Sequence, residues 1–232
     1  MLIKGKGIIS KSQKNILHYF SKLKDSKYFY LTGGTALAEF YLGHRKSYDL
    51  DLFTSEKSLI LPFSRLLEEQ FKKLVQVKVI RRFETFVEFE IEEEETVRVQ
   101  LAYDSPFKFE KPLESDLGIL VNSYKDLIID KLLALYGRAE PRDAVDIFFI
   151  LKTENFWDMV KLASIKDPGF DLYWLAVALE KVTDFPNELD RWPVQMLIRF
   201  KVEELKNKFS LLAREIMEKI RTSRTGESPS LE

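Results

Sequence analysis

The chain has no cysteine and only two histidines among its 232 residues. That excludes disulfides, thiolate nucleophiles and zinc sites rich in cysteine or histidine. Any metal it binds must be held by oxygen, which selects hard cations such as magnesium. Long apolar runs are missing too: no stretch of about 18 uncharged apolar residues occurs, so no membrane span is expected. The opening MLIKGKGIISKSQKN lacks the apolar centre of a signal peptide, and a cytoplasmic protein is expected. A net charge of -1 decides nothing about nucleic acid, because local patches rather than totals set such binding. What is plentiful is apolar surface: a hydrophobic content of 45% supplies a core for one large domain or two modest ones.

The texture of the chain changes near residue 110. Before it, helical and strand-like stretches alternate: a helix over 14–23, an aromatic strand over 28–31, a helix over 62–74, then strands over 75–82, 85–91 and 96–103 that read as an antiparallel meander. The acidic run Glu92, Glu93, Glu94 and Glu95 falls at a strand junction and reads as a solvated hairpin turn. From about residue 122 the pattern is helical. Asn122 or Ser123 can cap a helix reaching Arg138, Pro141 suits a first turn, and 195–220 carries a long amphipathic pattern. Three parts are expected: a mixed α/β core over 1–110, a helical domain over 111–222, and a disordered polar tail over 223–232.

Residues 31–53 read LTGGTALAEFYLGHRKSYDLDLF. A strand that ends in Gly33 and Gly34 and turns into a helix presents bare backbone N–H groups where the helix dipole favours an anion. Thr35 can add a hydroxyl donor, and Gly43 is placed to end the helix. In DLDLF the strand period puts Asp49 and Asp51 on one face, and two carboxylates so close call for a cation between them. A phosphate cradle followed by a metal-binding pair is a plausible nucleotide site, because metal ions bridging carboxylates and a triphosphate serve in-line displacement at phosphorus. Arg45, in the loop between, can reach a triphosphate with a bidentate fork.

The combination of GGTALA, HRKSYDLDLF and KLLALYGRAEPRDAVDIFFI resembles the nucleotidyltransferase AbiEii/AbiGii toxin family, a branch of the DNA polymerase beta-like nucleotidyltransferase superfamily. The resemblance covers roughly residues 10–155. It implies an α/β (α+β) fold with a small mixed sheet flanked by helices, followed by a C-terminal helical bundle. It further implies that Gly33, Gly34 and Thr35 hold the triphosphate and that Asp49 and Asp51 bind Mg2+. Lys131, Arg142 and Asp143, with Asp146 one turn on, match a lysine and an Arg-Asp pair of the family. Lys131 and Asp143 are then expected in catalysis, and Arg142 with Arg138 in nucleotide binding. On a helix Lys131, Leu135 and Arg138 share a direction, a basic face; the plainer reading makes these residues ion pairs between successive helices.

The superfamily usually adds a third carboxylate from a later strand. Here that strand reads TVRVQLAYDSPF, and the corresponding place is Gln100, which can neither act as a base nor neutralise a metal. Asp104 can substitute only if a bulge shifts the register. Two functions stay open. One is a magnesium-dependent transferase that moves NMP from an NTP to a hydroxyl of an RNA end, a protein or a small molecule, with tRNA and a cognate antitoxin as partners implied by the family. The other is a degenerate nucleotide-binding or partner-binding module, favoured by Gln100. Lys72, Lys73, Lys78, Arg81 and Arg82 form a basic cluster that can track RNA or simply be solvated. Trp157, Trp174 and Trp192 are expected in the core.

Overall fold

The computed structural model describes residues 2–225 and divides into two compact units, Met1–Leu127 and Ile128–Glu232. The division falls later than residue 110, inside the helix α4 (Tyr124–Arg138). The expected tail lies outside the described residues from 226 onward, whereas 223–225 complete the last helix.

The first unit is built on a seven-stranded mixed sheet in the order β3-β4-β5-β2-β1-β7-β6. After α1 (Lys11–Ser21) comes β1 (Tyr30–Thr32), which runs directly into α2 (Gly33–Ala36) and a π-helical continuation, Leu37–Leu42. Gly43, at φ +70°, stops the helix as expected, its N–H donating to the Ala38 carbonyl. Next come β2 (Leu50–Thr54), α3 (Ile60–Phe71) and the meander β3 (Gln76–Arg82), β4 (Phe86–Glu92) and β5 (Thr96–Tyr103). Two-residue strands β6 (Leu113–Glu114) and β7 (Leu120–Val121) complete the sheet.

The meander forms because apolar residues alternate. Val77, Val87, Phe89, Ile91, Val97, Val99 and Leu101 are buried on one face, where Ile60, Phe63, Leu67 and Phe71 of α3 pack. Burying such a side chain contributes about 1.5–3 kcal/mol each. The Glu93–Glu95 segment is the hairpin turn that its charge suggested, with the Glu93 N–H donating to the Glu95 carbonyl. The β3–β4 register slips between Val79 and Arg81. The bulge keeps Arg81 opposite Glu88 and sets Arg82 opposite Val87 on the helix side, where it pairs with Glu68 of α3.

The N-terminal segment is tied down by Glu39, a buried carboxylate on the helical run after Gly34. It accepts from the backbone N–H groups of Gly7, Ile8 and Ile9 at 2.8, 2.6 and 3.0 Å.

The second unit is helical: the rest of α4, then α5 (Pro141–Ile150), α6 (Phe156–Lys166), α7 (Leu172–Lys181) and α8 (Val202–Thr225). Pro141 opens α5 as its spacing suggested. Ser123 caps α4, its hydroxyl accepting from the Asp126 N–H at 3.0 Å. The last helix starts later than residue 195, because 193–201 is irregular. Trp192 is in the core, but Trp174 is 58% exposed, which corrects the expectation for that residue. Among the described residues no helix is long and apolar enough to cross a membrane.

Candidate nucleotide site

The turn from β1 to α2 is where the sequence placed its first functional signal. Gly33 sits at φ +70°, a conformation that suits glycine. A β-carbon there would lie 2.0 Å from Oδ2 of Asp51, so the absence of a side chain is what admits the carboxylate. β1 and β2 run antiparallel with Thr32 paired to Asp51, which brings the glycine turn and the aspartate strand together. Asp49 stands just before β2, two residues from Asp51, with Leu50 and Leu52 fully buried on the opposite face.

The side chains behind the turn fix this arrangement. Thr35 is buried and its hydroxyl donates to the Asp49 carbonyl, so it ties the helix to the aspartate strand instead of facing a phosphate as the sequence suggested. Arg45 is buried rather than solvated in its loop. Its Nη2 lies 2.6 Å from where a β-carbon on Gly34 would stand, and its Nη1 donates to the Lys46 carbonyl at 3.0 Å. A fixed positive charge therefore backs the two glycines, which adds to the pull on an anion. Asn122, read from the sequence as a possible cap, is fully buried. It donates from Nδ2 to the Thr32 hydroxyl at 3.1 Å, while its own carbonyl accepts from the Tyr41 hydroxyl at 2.8 Å.

Burial pushes the Tyr41 phenol up to about 12, with the Glu110 charge adding to the shift. A raised value means that its contribution to stability is complete below pH 10, where the unfolded phenol titrates, and is lost as pH rises through 12. Absorbance titration near 295 nm, comparing the chain with Tyr41→Phe, should show one phenol that stays protonated past pH 11.

Strand register extends the site across the sheet. Asp51 pairs with Gln100 on β5, Gln100 with Glu88 on β4, and Glu88 with Arg81 on β3. β5 holds an unbroken register with both neighbours, so no bulge brings Asp104 into the row. Asp104 accepts from the Tyr30 hydroxyl and from Lys108. Arg98 reaches Asp49 Oδ1 at 4.0 Å and Glu88 Oε1 at 3.4 Å through the same Nε. Glu88 and Arg98 did not stand out in the sequence, although the hairpin gave a signal. Once Glu92 opposes Thr96, counting back along β4 and forward along β5 sets Glu88 opposite Gln100.

The basic cluster, read as RNA-tracking or simply solvated, is paired with acids: Lys72 and Arg82 with Glu68, Lys73 with Glu69, Lys78 with Glu90 and Arg81 with Glu88. Arg82 and then Lys72 hold the Glu68 carboxyl below its ordinary value.

In the second unit, Lys131 is not part of an open basic face. Its ammonium lies 2.7 Å from Asp146 and 3.3 Å from Asp143, both aspartates being fully buried. Arg138 closes on Asp143 with Nε at 2.6 Å and Nη2 at 3.0 Å. Arg142 pairs at the surface with Glu140. The inter-helix ion pairing is what the structure has.

The family profile described as "Nucleotidyl transferase AbiEii toxin, Type IV TA system" matches residues 15–220. The uncharacterized protein aq_aa25 of Aquifex aeolicus (strain VF5) is 29% identical over 163 residues, covering 68% of this chain and 73% of that protein. Among solved structures, JHP933 from Helicobacter pylori superposes with a TM-score of 0.55 at 19% identity, covering 94% of this chain and 97% of its own. MenT4, a nucleotidyltransferase toxin from Mycobacterium tuberculosis H37Rv, gives 0.55 at 14% identity, covering 89% and 82%. These structural likenesses support the fold, and the profile match settles the kinship: the chain belongs to the AbiEii nucleotidyltransferase toxin family.

Proposed function

We propose that the protein transfers a nucleotidyl group from an NTP to a hydroxyl of an acceptor, as the toxin component of a toxin–antitoxin pair. The observation that carries this is the contact of Gly33 with Asp51, which sets a phosphate-accepting turn against a carboxylate pair. No group of three or more acidic or histidine side chains able to hold a metal occurs among the described residues. Two carboxylates nevertheless suit Mg2+, which takes its remaining ligands from phosphates and water. Asp49 and Asp51 would hold it, and the charge it supplies there would offset that of the triphosphate.

The chain's own groups do the rest. Backbone N–H groups at Gly33 and Gly34 receive the phosphate oxygens, and Arg45 behind them strengthens the local positive field. The acceptor oxygen attacks the α-phosphorus in line, and pyrophosphate leaves. In the second unit the family resemblance points to Lys131 and Asp143 for catalysis and to Arg142 for nucleotide binding, and helix spacing adds Arg138 to the binding group. A tRNA acceptor and a neutralising antitoxin are carried over as part of the same proposal.

The test is calorimetry of each NTP with and without Mg2+, on the intact chain and on Asp49→Ala/Asp51→Ala, followed by pyrophosphate release with total tRNA. Binding that needs both magnesium and the aspartates is expected, with pyrophosphate released. Gln100 beside Asp51 favours a second reading, a nucleotide-binding module without turnover; binding without pyrophosphate release would establish that one.

A further inference from the structure

Transfer to a hydroxyl requires a group that takes the hydroxyl's proton, and Gln100, directly beside Asp51, cannot serve. One strand further out, at the same register and on the same face, stands Glu88. This carboxylate is only 8% exposed although it lies on the polar face of the meander; on the same strand Glu92 is exposed. A buried carboxylate is costly unless it is paired, and two features supply the pairing. The β3 bulge keeps Arg81 opposite Glu88, with Nε at 3.8 Å, and Arg98 approaches from β5 at 3.4 Å. The same Arg98 Nε lies 4.0 Å from Asp49, so one guanidinium spans Glu88 and the aspartate pair. The fold thus holds a third carboxylate at the edge of the site with arginines that keep it there.

We infer that Glu88 is the proton acceptor for the attacking hydroxyl, supplied from β4 because β5 offers glutamine at that register. This rests on the nucleotidyltransferase reading above. The extra methylene of glutamate offsets part of the roughly 4.8 Å by which β4 lies beyond β5. In the step, the acceptor O–H proton passes to the Glu88 carboxylate and the oxygen's electron pair forms the bond to the α-phosphorus. The bond from that phosphorus to the oxygen bridging towards the β-phosphorus breaks, and pyrophosphate departs with its electrons. Arg81 and Arg98 are positioning residues.

The experiment uses the full chain, Mg2+, NTP and total tRNA, reading pyrophosphate release, nucleotide affinity and thermal unfolding. Glu88→Gln keeps the shape of the side chain and is expected to lower kcat by about 100-fold. Nucleotide affinity should stay within about threefold, because no uniform binding contact is removed. Adding Gln100→Glu to that variant returns a carboxylate to the row and should recover about tenfold or more of the lost rate. Arg98→Gln, which leaves Glu88 in place, should cost less than about tenfold. If Glu88→Gln does not fold, Glu88→Asp, which keeps the charge but withdraws it, should lower kcat by about tenfold or more at unchanged affinity. Full turnover in the folded Glu88 variant overturns the inference, as does an Arg98→Gln loss equal to that of Glu88→Gln, which would make the carboxylate a support for Arg98 alone. No turnover by the unaltered chain overturns the nucleotidyltransferase reading and this inference together; turnover that is indifferent to Glu88 overturns this one only.

Discussion

Gly33→Ala is expected to abolish magnesium-dependent nucleotide binding while leaving the chain folded. The backbone there is at φ +70°, where a β-carbon costs about 1–2 kcal/mol. The steric consequence is larger for function than for stability. The added carbon would meet Asp51 at 2.0 Å from Oδ2, 3.0 Å from Cγ and 3.3 Å from Cβ. Because Asp51 is anchored by strand pairing on both sides, its carboxylate can escape only by turning about χ1, which takes it away from the turn. Gly34→Ala is the control. Its β-carbon would meet the end of the Arg45 side chain at 2.6 Å and the Ser47 hydroxyl at 3.0 Å, and Gly34 is not in the left-handed region. The end of a long side chain gives way more readily than a carboxylate held on a paired strand, so nucleotide affinity should fall by about tenfold or less, a cost near 1.4 kcal/mol. Equal affinities for Gly33→Ala and the unaltered chain would dismiss the turn as a phosphate site.

Lys131→Met should produce the largest loss of stability. The ammonium is shared between two fully buried aspartates, and removing it takes a close cation from both. Breaking a buried pair in this way costs about 3–5 kcal/mol. For a unit of this size that lowers the melting temperature by about 10 °C or more. Adding Asp146→Asn removes one of the buried charges that Lys131 offset and should recover part of the loss. Arg142→Ala removes a half-exposed cation that pairs with Glu140 and should cost less than Lys131→Met. Denaturant unfolding of the three variants, beside nucleotide binding, tells a structural contribution of Lys131 from a catalytic one.

Much of the first unit was legible because its signals are local. The β3–β5 meander follows from two-residue alternation and an acidic turn, and the glycine turn and aspartate pair from their order along some twenty residues. The strands β6 and β7 were not legible, since two residues carry no period. The fate of Thr35, Arg45 and Asn122 was equally hidden. Each is a polar residue in a plausible exposed role that the fold instead buries against a backbone carbonyl or a neighbouring hydroxyl. The basic face around Lys131 and Arg138 looked open because spacing along one helix says nothing of the next helix, and Asp143 and Asp146 of α5 fill it. Glu88 was within reach of hairpin counting but sat among alternating glutamates that read as a wet surface.

The parallel pairing of β2 with β5 also governs timing during synthesis. Asp51 meets its antiparallel neighbour Thr32 early, but Gln100 emerges from the ribosome about fifty residues later, and a pairing so distant in sequence forms slowly. Until β5 docks, β2 presents an open strand edge and the row running from Thr32 to Arg81 does not exist. A nascent chain therefore carries its glycine turn and both aspartates without that row, and translation arrested before residue 103 would leave β2 with an open, adhesive edge.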